Sequence, residues 1–184
     1  QDKLRQNGIF RDVYILNRPE DHIFDYKIET NKLGEIKGKF DKEVEISLYD
    51  KKKLLATKKG KTINLKINNP ILWNAEKPYL YRLVISYNGE FIEEKIGFRS
   101  VEIKDCVLYL NDTPIKIRGV NRHSSTVNGY VESIEDLVKD LKLFKQFNIN
   151  AVRTSHYPPH PLFPKLCEII SMSMESVKSL LNFR

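Results

Sequence analysis

Apolar and polar residues alternate with a period of two along most of the first hundred positions. That period puts every second side chain on one face of a pleated strand, so each such run predicts a half-buried strand. The runs are Ile9–Leu16, Ile23–Thr30, Glu35–Phe40, Val44–Tyr49, Lys53–Thr57, Thr62–Ile67, Tyr81–Tyr87 and Phe91–Ile96. Turn-forming stretches separate them: Asn31-Lys32-Leu33-Gly34, Asp50 to Lys53, Lys59-Gly60-Lys61 and Asn88-Gly89-Glu90. Asn-Gly is a strong signal for a two-residue hairpin turn, because both central positions tolerate positive φ. Pro70 interrupts the alternation between Asn69 and Trp73. Regular short strands with such punctuation predict an antiparallel sandwich.

The pattern changes after Phe98. Val101–Ile103 and Val107–Leu110 predict a hairpin that turns again at Asn111 to Pro114. Ile115–Val120 predicts a strand ending in Asn121-Arg122-His123. From Ser133 to Phe147 the period lengthens, with Ile134, Leu137, Val138, Leu141 and Phe144 on one helical face. Ser133 is placed as its N-cap, with Asp136 at the third helical position. Ala151-Val152-Arg153 predicts a second short strand, ending in Thr154-Ser155-His156-Tyr157. A helix over Pro161–Leu166 follows, and Ile170, Met174, Val177 and Leu181 fall on one face of a further helix.

Strand, crossover helix, strand is the unit that makes two strands parallel. Both histidine-bearing ends then emerge at the carboxyl edge of one sheet, where α/β folds build ligand sites. His123 and His156 are therefore the first candidates for a shared site. The fold class expected is α+β, a sandwich followed by one βαβ unit.

Composition narrows the classes. The chain has 184 residues, of which 41% are hydrophobic and 30% charged, which fits a folded protein of one or two domains. No apolar run reaches the roughly 20 residues of a membrane-spanning helix. The first six residues hold no signal-peptide core, which makes the cytoplasm the expected location. Cys106 and Cys167 form no close motif, so buried free thiols are expected ahead of a disulfide between them. Four histidines without zinc-site spacing predict no structural zinc.

The net charge of +7 suits an anionic partner in principle. Its lysines, however, cluster at Lys51–Lys53 and Lys58–Lys61, at expected turns, without the interleaved aromatics that single-stranded nucleic acid would require. Lysines there protect strand edges. No nucleic-acid partner is expected. Glu132, Glu135 and Asp136 surround a helix start, where negative charge favours the helix dipole, and are assigned to capping. His22 and His160 read as surface or packing histidines.

Five blocks in order carry a family resemblance: GIFRDVYIL, NPILWNAEKPYLYRLVI, GFRSVEI, IKIRGVNRH and NINAVRTSHYPPHPLF. They resemble glycoside hydrolase family 2, specifically the bacterial β-galactosidases, from about residue 1 to Glu168. The resemblance implies the end of a sugar-binding jelly-roll over 1–18 and an immunoglobulin-like sandwich over 19–98. The start of a (β/α)8 barrel would cover 99–168, and 169–184 would be a helical tail foreign to the family. A barrel of this kind takes about 250 residues, so only its first part fits here.

The same resemblance implies substrate-binding roles for Asp12, His123, Arg153 and His156, with Asp12 also a sodium ligand. Magnesium and sodium would serve the whole enzyme. Both catalytic glutamates would lie on later barrel strands, so the implied activity is retaining hydrolysis of terminal β-D-galactosides by a longer protein, of which this truncated chain is an inactive part. Weak galactoside binding and self-association through barrel strands or tail are expected. The competing reading is a non-catalytic sandwich module that works through its basic face.

Overall fold

The two runs either side of Asp41-Lys42-Glu43 are one continuous strand of 16 residues in the computed structural model. The structure describes residues 8, 9, 11–155, 157–170 and 173–175. They belong to two compact units, residues 16–115 and residues 1–15 with 116–184.

The first unit is an antiparallel sandwich followed by a small hairpin sheet. Its strands are β1 (Tyr26–Thr30), β2 (Glu35–Asp50), β3 (Lys53–Lys66), β4 (Tyr81–Tyr87) and β5 (Glu90–Ile96). The first part of β2 pairs with β1 and β3, and its second part with β3 and β4. One strand thus serves both halves, with a register shift between Lys39 and Val44. Its even-numbered residues Ile36, Phe40, Val44, Ile46 and Leu48 all point inward. They meet Ile63 and Leu65 of β3, Leu83 and Ile85 of β4, and Phe98. Strict alternation dictates this, because one face of each strand is apolar throughout.

Lys58, Lys59 and Lys61 lie inside β3 and not at a turn, which corrects the sequence expectation. The polar run spans the register irregularity opposite Val44, where Gly60 sits at φ 152°. Since among the described residues β3 pairs only with β2, these lysines line an outer strand, where charge discourages further pairing. The hairpin sheet follows as β6 (Val101–Lys104), β7 (Val107–Leu110) and β8 (Thr113–Pro114). Asp105 and Cys106 take positive φ at its first turn, which leaves Cys106 exposed and not buried as expected.

The second unit holds β9 (Gly119–Arg122), α1 (Ile134–Gln146), β10 (Ala151–Thr154), α2 (Leu162–Ile170) and β11 (Ser173–Glu175). β9 and β10 are parallel, with Gly119 opposite Ala151 and Arg122 opposite Thr154. The strand starts at Gly119, four residues later than the alternation from Ile115 suggests. Before it, the Arg118 N–H donates to the Asn150 side chain and not to a ladder. Ser133 caps α1 in a reciprocal capping box with Asp136, as its spacing predicts. Leu137 and Leu141 of α1, Val152 of β10, and Phe163 and Cys167 of α2 form the core beneath.

Two expectations fail here. Ile9–Leu16 is not a strand: among the described residues it joins no ladder, and Val13, Tyr14, Ile15 and Leu16 are exposed. Alternation alone cannot hold a strand without a neighbour to accept its hydrogen bonds. The supposed helical tail contains β11 instead, parallel to β10 with Ser173 opposite Ala151. The free backbone edge of β10 offers this segment a ladder that outweighs its helical spacing. Residues 176–184 lie outside the described residues. Among the described residues no helix is long and apolar enough to cross a membrane.

The β1–β2 turn gives the first test. Gly34 sits at φ 79°, and a Cβ there would fall 2.2 Å from the Ile67 carbonyl oxygen. Gly89 has a similar φ of 78° in the β4–β5 turn, with nothing within 4 Å. Gly34→Ala is expected to cost about 3 kcal/mol and Gly89→Ala about 1 kcal/mol, measured from urea midpoints. Equal losses would show that the Ile67 contact is not a constraint.

Candidate sugar site at the strand ends

β9 and β10 end one residue before the groups that matter. Past the ladder, the Ser155 N–H donates to the Arg122 carbonyl at 2.9 Å. One residue further, the Ser124 N–H donates to the Tyr157 hydroxyl at 3.0 Å. His123 lies between these two ties, and its ring centroid is 6.1 Å from that of Tyr157. Tyr130 meets Tyr157 edge-on at 6.0 Å. Burial raises the pKa of Tyr157 above the ordinary phenol value, so it stays a neutral hydroxyl.

Arg122 is the charged centre of this edge. Its guanidinium donates to Glu132 at 2.5 Å and to Asp140 at 2.9 Å through Nε. Nη2 also lies 2.8 Å from the same Asp140 oxygen, and the group sits 4.8 Å from the centre of the Phe163 ring. The Arg122 and Glu132 side chains are 6% and 0% exposed. A buried cation is tolerated only with such partners, since desolvating a lone charge costs several kcal/mol. The second oxygen of Glu132 is buried and has no hydrogen-bond partner among the described residues. Cys167 lies in the same core, and burial pushes its thiol up to about 12.

The sequence candidates divide. His123 stands at the strand-end edge on an exposed position, and Arg153 of β10 is half-buried. Arg153 reaches the Asn121 side chain at 3.4 Å, directly across the parallel ladder. His156 lies outside the described residues, although Ser155 and Tyr157 on either side of it are placed at this edge. Asp12 is exposed on the extended segment before residue 16. A hard cation such as sodium or magnesium needs several oxygen donors, and Asp12 alone does not supply them. Among the described residues no group of three or more His, Cys, Asp or Glu side chains is arranged to hold a metal.

Of the residues assigned to capping, only Asp136 forms the box, and Glu132 pairs with Arg122 instead. The signal was an arginine at the end of an apolar strand, which must find a carboxylate if the strand end is buried. His22 and His160 behave as expected. Nδ1 of His22 contacts the carbonyls of Pro19 and Glu20, and Nδ1 of His160 accepts from the Leu162 N–H at the start of α2.

This arrangement places an imidazole and a guanidinium beside the ends of two parallel strands, with α1 and α2 packed behind. Residues 101–174 match the family model for the TIM barrel domain of glycosyl hydrolases family 2, and residues 16–99 match a second model of that family. The chain belongs to glycosyl hydrolases family 2. The barrel match continues six residues past Glu168, to the second position of β11.

The chain is 41% identical over 180 residues to a protein from Actinobacillus pleuropneumoniae named β-galactosidase, and 41% identical over 181 residues to one of that name from Staphylococcus xylosus. Each alignment takes in 91% of this chain and 18% of the relative, so the chain spans under a fifth of the length of these two relatives. Among solved structures it resembles Faecalibacterium prausnitzii β-glucuronidase, with a TM-score of 0.80 and 27% identity. That match covers 85% of this chain and 28% of the other.

Breaking the buried bracket tests its electrostatics. Arg122→Ala leaves Glu132 as an uncompensated buried carboxylate and is expected to cost about 3–5 kcal/mol. The double variant Arg122→Ala/Glu132→Ala should recover part of that loss. A double variant less stable by the full sum of the two single losses, read from denaturant midpoints, would contradict the pairing.

Proposed function

We propose that this chain supplies the hydroxyl-recognising side of a β-galactosidase pocket, within a retaining glycoside hydrolase acting on terminal β-D-galactosides. The observation that carries the reading is the parallel β9–β10 edge, which brings His123, one residue past β9, beside Arg153 of β10. Imidazole and guanidinium donors suit sugar hydroxyls and the charge that develops on them in the transition state. Galactoside is favoured over glucuronide because the relatives named β-galactosidase are 41% identical, against 27% for the glucuronidase structure. His156 belongs to the same pocket in this reading, as its neighbours Ser155 and Tyr157 stand at the edge. Asp12 joins it in the whole enzyme.

Hydrolysis of a glycoside also needs a carboxylic acid to protonate the leaving oxygen and a carboxylate to attack the anomeric carbon. Here Glu132 is committed to Arg122, and Asp136 to its cap. The acid and nucleophile come from later parts of the barrel, so the 184-residue chain alone is inactive. Positioning and hydrogen bonding without those groups leave the major terms of the barrier untouched.

Titrating the purified chain with galactose and with glucuronate, followed by NMR, tests the assignment. Galactose is expected to shift the His123 ring signals with a Kd of about 1 mM or weaker, and glucuronate to bind less well. No hydrolysis of a nitrophenyl galactoside is expected. Preference for glucuronate, or turnover lost in His123→Ala, would overturn it.

A further inference from the structure

The loop from His123 to Val131 leaves β9 at Arg122 and returns at Glu132. Those two flanking residues form the buried ion pair, so the loop is clamped at its base. Inside it, Thr126 and Gly129 exchange backbone hydrogen bonds at 2.8 and 3.0 Å, and the Thr126 hydroxyl donates to the Val131 carbonyl at 2.8 Å. The second strand end is tied to the same loop through Ser155 to Arg122 and Ser124 to Tyr157. His123 is therefore the one residue between a fixed Arg122 and a fixed, buried Ser124.

Electrostatics decides which tie dominates. Glu132 has a fully buried side chain and meets Arg122 where water cannot screen the contact, whereas the Asp140 side chain is 42% exposed. A buried Arg122 without Glu132 would gain by turning toward solvent. Without that pair the loop loses the contact that closes its base at Glu132, and the backbone that follows His123 is free to shift. An imidazole recognising a hydroxyl must be held within about 0.5 Å of its productive place.

We propose that Glu132 is a positioning residue: by closing the base of the loop on Arg122, it fixes the direction in which His123 presents its imidazole to the sugar. The inference rests on the reading that His123 faces a sugar, but its conformational half can be measured without one. Glu132 makes no contact with the sugar in this scheme, and it acts only through Arg122.

The test uses the full 184-residue chain labelled for NMR, as the parent, as Glu132→Gln and as Asp140→Asn. Side-chain couplings of His123 report whether its ring holds one rotamer, and galactose titration reports affinity. In the parent a single His123 rotamer is expected. In Glu132→Gln the couplings should average while the amide signals of the sandwich and of α1 stay in place, and galactose should bind about tenfold more weakly. Asp140→Asn removes only the exposed contact and should move both readouts in the same direction by less.

A folded Glu132→Gln chain with one His123 rotamer and parental affinity would overturn the proposal. Should Glu132→Gln fail to fold, Asp140→Asn decides alone, and parental His123 couplings there would overturn it. If galactose shifts nothing in the parent while the His123 couplings still average in the variant, the sugar reading fails and the positioning role stands.

Discussion

The site depends on one ladder, the parallel pairing of Gly119–Arg122 with Ala151–Thr154. Parallel strands need a crossover, and the capped helix α1 supplies it. Leu137 and Leu141 on its inner face pack against Val152 of β10. Once the register is set, the ends of both strands fall at the same level. The Ser155 N–H then completes a bond to the Arg122 carbonyl beyond the last ladder pair. A slip of one residue would turn Val152 out of the core and move Arg153 to the opposite face.

What holds the edge is less ordinary than what builds it. An arginine and a glutamate are buried together, where a hydrophobic pair of equal volume would be as stable or more so. The Arg122–Glu132 pair is specific in direction, since a guanidinium fixes its partners in a plane and aliphatic groups do not. At a strand end proposed to present a recognition residue, direction matters more than stability. The sandwich shows the opposite economy: its core residues are aliphatic and aromatic, and ion pairs such as Lys42–Asp21 lie at its surface, with Arg18–Glu90 half-buried.

The sequence was most readable where alternation was strict and both ends were punctuated. Tyr81–Tyr87 and Val107–Leu110 are strands over those same residues. Ser133 with Asp136 fixed the start of α1. It was least readable where an outcome depended on a distant partner. Asp41-Lys42-Glu43 breaks the alternation between two runs, but pairing of Phe40 with Tyr26 before it and of Glu45 with Ser86 after it keeps β2 one strand. Ile9–Leu16 has a strand pattern but, among the described residues, no ladder partner. Glu132 stands beside a helix start, where capping is the local expectation, and only the burial of Arg122 across the loop claims it. Ser173–Glu175 has helical spacing and becomes a strand because β10 has an edge to offer.

The two strand ends are joined beyond their ladder, and one amide reports on that joint most directly. Hydrogen exchange of the Ser155 N–H, followed by NMR on the native chain, should be as slow as that of Leu141 in the buried face of α1, because both bonds open only when the second unit unfolds. A Ser155 amide that exchanges as fast as Val127 in the exposed loop would mean that the strand ends part freely, and the proposed sugar site would lose its scaffold.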